Sequence, residues 1–241
     1  MNLPRWATAL LVYALAAASL AAGDLVQRVE LAEDWQSVAI VAPDGAVQFT
    51  FSIEAWRAWA ADHLEAALGG PVTIGDAELP PSTFHGFGFA DVAPDGRVLL
   101  AATTYAMATT ASVLTLLDPA TRELEVVSDV AYGDVEEVAW SPDGRFVAFT
   151  LGTARASGDG LLVDDVVERR RELELNGQQA LASDAGLGAV VDAFEWFPGF
   201  RDLAWGSDGT LAFVSHDPAA GAEEGVLRWR YDPATGDLRV D

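Results

Sequence analysis

Four times along the chain an alternating apolar run stops at an Asp-Gly pair and a second alternating run follows. The best-developed copy is Val138-Ala139-Trp140-Ser141-Pro142-Asp143-Gly144-Arg145-Phe146-Val147-Ala148-Phe149. The others centre on Asp208-Gly209, Asp95-Gly96 and Asp44-Gly45. Three residues before each Asp stands a large apolar residue: Trp140, Trp205, Val92 or Val41. Beyond each turn, apolar residues return at every second position, the signature of a strand with one buried face. Between the runs, Pro sets φ for the first central position in three of the copies (Ser207 stands there in the fourth), Asp can accept a backbone N–H, and Gly tolerates positive φ. Each copy therefore reads as a β-hairpin. No hairpin can bury its apolar face alone, so the copies must pack on one another.

A second hairpin follows the first. Leu117-Asp118-Pro119-Ala120-Thr121-Arg122-Glu123-Leu124 matches Tyr231-Asp232-Pro233-Ala234-Thr235-Gly236-Asp237-Leu238. Leu161–Asp165 followed by Arg171–Leu175 fills this slot in the third copy, and Val72–Ile74 with Ala77–Leu79 is the candidate in the first. Four-stranded meanders at spacings of 51, 48 and 65 residues predict an all-β fold: a small β-propeller of about four four-stranded blades, as an incomplete or four-bladed ring. The expected blades are 36–80, 85–130, 135–176 and 200–241. Ile53 to Leu68 interrupts the pattern as a helix capped by Ser52 and stopped by Gly69-Gly70-Pro71, with Ile53, Trp56, Ala60, Leu64 and Ala67 on one face. Leu25 to Leu31 is placed either to latch the last blade or to serve the first.

Trp140-Ser141-Pro142-Asp143-Gly144-Arg145-Phe146-Val147-Ala148-Phe149 resembles the W-S-P-D-G-x-x-I-A-F signature of TolB-like propeller repeats, relatives of the WD-repeat family. The resemblance implies a propeller fold and export, with binding or scaffolding as the family's usual use.

Charge narrows the partners. The chain has 37 acidic and 14 basic residues, a net charge of −23, and every basic residue is Arg. So acidic a surface repels phosphate backbones, and no nucleic-acid partner is expected. Arg169-Arg170-Arg171 is the one basic cluster and reads as solvated hairpin residues. The chain has no cysteine, which excludes disulfides and thiol chemistry. Residues 1–23 read as a signal peptide, with Arg5 ahead of an apolar run from Trp6 to Leu20 and small residues before Asp24. Residues 24–241 then form the propeller-like domain, periplasmic or extracellular, with no stable membrane insertion after cleavage; the alternative is an uncleaved membrane anchor, for which the apolar run is slightly short.

In a meander blade the Asp-Gly and Asp-Pro-Ala-Thr turns fall on one rim and the irregular connections on the other. Recognition usually resides in such variable segments on a rigid scaffold. The rim candidates are Trp59, Tyr105, Arg155, His216 and Glu223, with Glu224 beside the last. The three histidines, His63, His85 and His216, lack metal-ligand spacing. No nucleophile elbow is present and no catalytic residue is assigned. Asp217 with Glu223 and Glu224 could ligate Ca²⁺, and otherwise no cofactor or metal site is expected. Two functions fit: a binding or scaffold module for a protein or glycan, or a metal-dependent propeller enzyme, lactonase- or hydrolase-like, with a carboxylate-held cation at the ring axis.

Overall fold

The computed structural model of the protein describes residues 28–106, 109–152, 160–176, 199–216 and 226–240. The expected signal peptide, residues 1–23, lies outside them, as do residues 153–159, 177–198 and 217–225. Among the described residues no helix is long and apolar enough to cross a membrane.

The fold is a small all-β propeller of consecutive antiparallel sheets with one helix. The first sheet orders β1 (Arg28–Leu31), β2 (Ser37–Val41) and β3 (Val47–Ser52). Helix α1 (Ile53–Leu68) and a small hairpin, β4 (Thr73–Ile74) with β5 (Ala77–Glu78), follow. The second sheet is β6 (Gly86–Val92), β7 (Val98–Ala106), β8 (Thr109–Leu117) and β9 (Leu124–Val126). The third is β10 (Asp134–Trp140), β11 (Phe146–Gly152), β12 (Gly160–Asp165) and β13 (Arg170–Asn176). The fourth is β14 (Gly199–Trp205), β15 (Leu211–His216), β16 (Leu227–Asp232) and β17 (Asp237–Val240).

All four Asp-Gly turns use one mechanism. The Asp carboxylate accepts the N–H two residues on, from Ala46, Arg97, Arg145 and Thr210 at 2.9–3.1 Å. Gly45, Gly96, Gly144 and Gly209 take φ of 84°, 86°, 70° and 79°, the left-handed region that favours glycine. The Ser141 hydroxyl, and then the Arg145 N–H, hold the Asp143 carboxyl below its ordinary pKa. The helix also forms as expected, with the Ser52 hydroxyl accepting from Ala55 N at 3.2 Å and Gly69 closing it at φ 74°. Ile53, Trp56, Ala60 and Leu64 are buried, while Ala67 is exposed.

The first blade departs from the expected meander. The Thr73–Glu78 hairpin forms its own two-stranded sheet and does not extend the first one. The first sheet gains β1 instead, paired to β2 from Arg28↔Val41 to Leu31↔Val38. The chain before the repeat thus serves the first blade, and α1 occupies the length of chain in which two further strands would form.

Packing follows from two-sided burial. In β7, Val98, Leu100 and Ala102 face one apolar cluster shared with the first sheet and α1, while Leu99 and Ala101 face a second shared with the third sheet. In β11, Val147, Phe149 and Leu151 join that second cluster, and Ala148 joins a third with Phe213, Trp229 and Tyr231 of the fourth sheet. This is why the central strands read as nearly continuous apolar runs. Four sheets share three cores, and among the described residues no apolar cluster joins the fourth sheet to the first.

Polar bonds repeat from blade to blade as well. Trp205 Nε1 donates to Ala139 O at 3.0 Å, and Trp140 Nε1 to Asp91 Oδ2 at 3.3 Å. The first strands of the second, third and fourth sheets also bulge, at Phe87/Phe89, Val135/Val138 and Arg201/Ala204. The Glu137 carboxylate accepts the Asp202 and Leu203 N–H groups at 3.1 and 2.8 Å, which the β14 bulge leaves unpaired in its own ladder.

Of the arginine cluster, Arg169 and Arg170 are solvated hairpin residues as expected, with side chains 55% and 63% exposed, and only Arg171 departs from that reading. Arg171, with its side chain only 12% exposed, pairs with fully buried Asp164 at 3.0 Å and donates to Asp129 O at 3.1 Å. Arg169 reaches Glu125 at 2.8 Å and Arg170 reaches Glu172 at 2.7 Å. Burial pushes the Asp164 carboxyl up against the pull of Arg171 and Ser128. Beside it, burial also presses on Asp165, but Arg145 and the Glu168 and Val167 N–H groups prevail and hold its carboxyl below the ordinary value.

Two outcomes follow. Trp205→Phe keeps an aromatic ring but removes the indole donor and part of the apolar bulk packed on the third core, and should cost about 1 kcal/mol or more in urea unfolding. Asp165 has a depressed folded-state pKa, so its contribution is present above about pH 4, the unfolded value, and is lost as pH falls through the folded one. In Asp165→Asn that acid-side decline should flatten, as read from unfolding free energy against pH.

Candidate functional site

The Asp-Gly turns gather on one rim. The Trp140–Asp91 and Trp205–Ala139 bonds join the ends of successive first strands, and a side chain at Gly144 would meet Pro94 at 3.5 Å. At the other ends of these strands a concavity of about 380 Å³ opens, lined by Trp35, His85, Gly88, Thr103, Tyr105, Thr110 and Asp134. It lies on the irregular rim, where the first three blades meet.

Local backbone chemistry builds it. The turn between β1 and β2 closes with Trp35 N donating to Ala32 O at 2.9 Å, and Gln36 N donating to Asp34 Oδ1 at 3.0 Å. Trp35 O then accepts Phe87 N at 2.8 Å, and the Gln36 side chain donates to His85 O, fastening this turn to the start of β6. Trp35 itself sits at φ 61°, a conformation costing a non-glycine residue about 1–2 kcal/mol. The residue is nevertheless 55% exposed. Tyr105, 60% exposed, stands opposite Thr110 in the β7–β8 pairing. Thr110 Oγ1 donates to Asp134 Oδ2 at 3.4 Å, which carries a carboxylate to the same edge. Gly88 occupies the β6 bulge, where a Cβ would come within 2.7 Å of Thr103 Cγ2.

Of the residues singled out from sequence, Tyr105 lines the concavity, as a strand residue and not a loop residue, because β7 and β8 pair as far as Ala106↔Thr109. Trp59 is half-buried, stacks on His63 with centroids 5.6 Å apart, and packs against the first core. His216 ends β15 opposite Gly199. Arg155, Asp217, Glu223 and Glu224 lie outside the described residues. Trp35 and Asp134 were not singled out; the available signal was a tryptophan set among Glu33, Asp34 and Gln36 between two strand patterns. Among the described residues, no three His, Asp or Glu side chains are grouped to hold a metal ion.

No protein-family model and no curated protein sequence matches the chain. Similar solved structures include a protein from Lactobacillus plantarum, at 13% identity and TM-score 0.42 over 85% of this chain and 49% of that one. The β-propeller domain of Cps50 (Swd1) from Myceliophteria thermophila gives 12% and 0.41 over 86% and 57%. The β-propeller domain of the trilobed protease from Pyrococcus furiosus gives 14% and 0.35 over 60% and 40%. The chain spans about half the length of these structures.

Gly88→Ala should destabilise by about 1–3 kcal/mol through the crowded Thr103 methyl. Adding Thr103→Ser, which removes that methyl, should recover part of the loss in a double-mutant cycle.

Proposed function

We propose that the protein is an exported binding module that takes a neutral glycan in the concavity on its irregular rim. One observation carries the reading: Trp35 is held in a left-handed backbone conformation while the residue is more than half exposed to solvent. Strain of this kind, with no burial to offset it, is typical of ligand clamps. Among the described residues Trp35, Tyr105 and Tyr132 are the exposed large aromatics, and two of the three line this concavity.

Aromatic faces stack on the apolar C–H faces of sugar rings, and the Thr110 hydroxyl and Asp134 carboxylate supply the polar contacts that hydroxyl groups need. The net charge of −23 disfavours anionic sugars. The anchors stand on the turn and strand ends that the inter-blade packing holds rigid, so little ordering cost attends binding.

The test is titration of the purified protein against a panel of neutral oligosaccharides. At least one should bind, and Trp35→Ala and Tyr105→Ala should each weaken it about tenfold or more, the effect of losing about 1.4 kcal/mol. Trp35→Gly should weaken binding to the same extent but melt at or above the wild-type temperature, because glycine relieves the backbone strain. A panel that fails to bind, or variants that bind like wild type, would overturn the reading.

A further inference from the structure

The fourth sheet turns one face to the third core and the other away from it. Cross-strand pairs assign the sides: Phe213↔Trp229↔Val240 and Leu211↔Tyr231↔Leu238 face the core. The opposite side carries Arg201↔Val214↔Arg228 and Ala204↔Ala212↔Arg230↔Arg239. Four of the chain's 14 arginines therefore share one sheet face in a protein of net charge −23. Asp232 and Asp237 stand opposite each other at its turn end, and Arg239 and Arg201 reach Asp237 and Asp202 only loosely, at 3.6 and 3.8 Å.

Arg230 and Arg239 are direct cross-strand partners, and like charges so placed repel, a repulsion that Asp208 near Arg230 and the Arg239–Asp237 pair offset in part. Ala204, Ala212 and Val214 form a small-residue floor between the guanidinium groups. An apolar floor framed by arginine is the usual anatomy of a protein interface. No described sheet packs on this face.

The same chain carries a matching surface. The solvent stripe of α1 exposes Glu54, Ala58, Ala61, Asp62 and Glu65, with Glu54 also meeting Arg57 at 3.8 Å. Its acids span about 16 Å along the helix axis, eleven residues at 1.5 Å each. The arginines span about 14 Å across β14 to β17, three inter-strand steps. Alanines lie between the charges on both surfaces. A sulfated glycan or nucleic acid fits less well, because a long polyanion would run off the arginine face onto acidic surface.

We propose that two copies of the chain associate about a two-fold axis, helix α1 of each lying on the arginine face of the fourth sheet of the other. Such isologous pairing makes the helix–sheet contact twice. At about 0.15 M salt the screening length is about 8 Å, so the long-range repulsion between two acidic chains fades while contacting pairs persist.

Sedimentation velocity over a concentration series tests this independently of any glycan. Wild type should reversibly double its mass. Arg228→Glu with Arg239→Glu, and separately Glu54→Arg with Glu65→Arg, should each raise the dimer dissociation constant tenfold or more while circular dichroism stays wild type. Mixing the two variants should restore pairing, because each contact in the mixed dimer then joins opposite charges. A monomeric wild type, variants that still dimerise as wild type does, or folded variants that fail to pair when mixed would overturn the proposal.

Discussion

Two-sided burial of the middle sheets is the constraint on which the rest of the structure depends. An isolated four-stranded meander has two faces to cover, and here successive residues of β7 and β11 serve successive cores. A one-residue slip in either strand would exchange its two faces. The bulges, the indole bonds and the Glu137 bridge all sit on first strands, where successive blades approach one another, and they fix the relation between neighbours that apolar packing alone leaves approximate.

Rigidity at that junction is also what makes the irregular rim usable. The β1–β2 turn is tied to β6 through Trp35 O and Gln36, so a strained tryptophan is held at a concavity instead of relaxing into solvent. The terminal faces have a different character. The first sheet turns Arg28, Glu30, Gln48 and Thr50 outward and the fourth turns arginines outward, so neither end presents a bare apolar surface.

Much of the fold was legible because its signals are local. Asp143, Gly144 and Ser52 act on atoms a few residues away, and alternation in Val98–Ala102 needs only the pleat. The first blade misled for the same reason: Thr73–Ile74 and Ala77–Glu78 do make a hairpin, but nothing local says which sheet a hairpin joins. In the site, Tyr105 was accessible through rim geometry. Trp35 and Asp134 were not, since they lie 70 and 29 residues from Tyr105 in sequence and meet it only through blade packing.

By itself the sequence determined the repeat, the turn chemistry, the helix and its caps, and the rim that would carry irregular segments, because each depends on φ preferences and period-two or 3.6-residue patterning within one element. Tertiary structure alone decided that β1 completes the first sheet, that tryptophan indoles reach the preceding blade, that Arg171 is buried against Asp164, and that arginines distant along the chain share one face. Those outcomes depend on how sheets stack and on which distant groups must satisfy one another away from water, and no local preference encodes that.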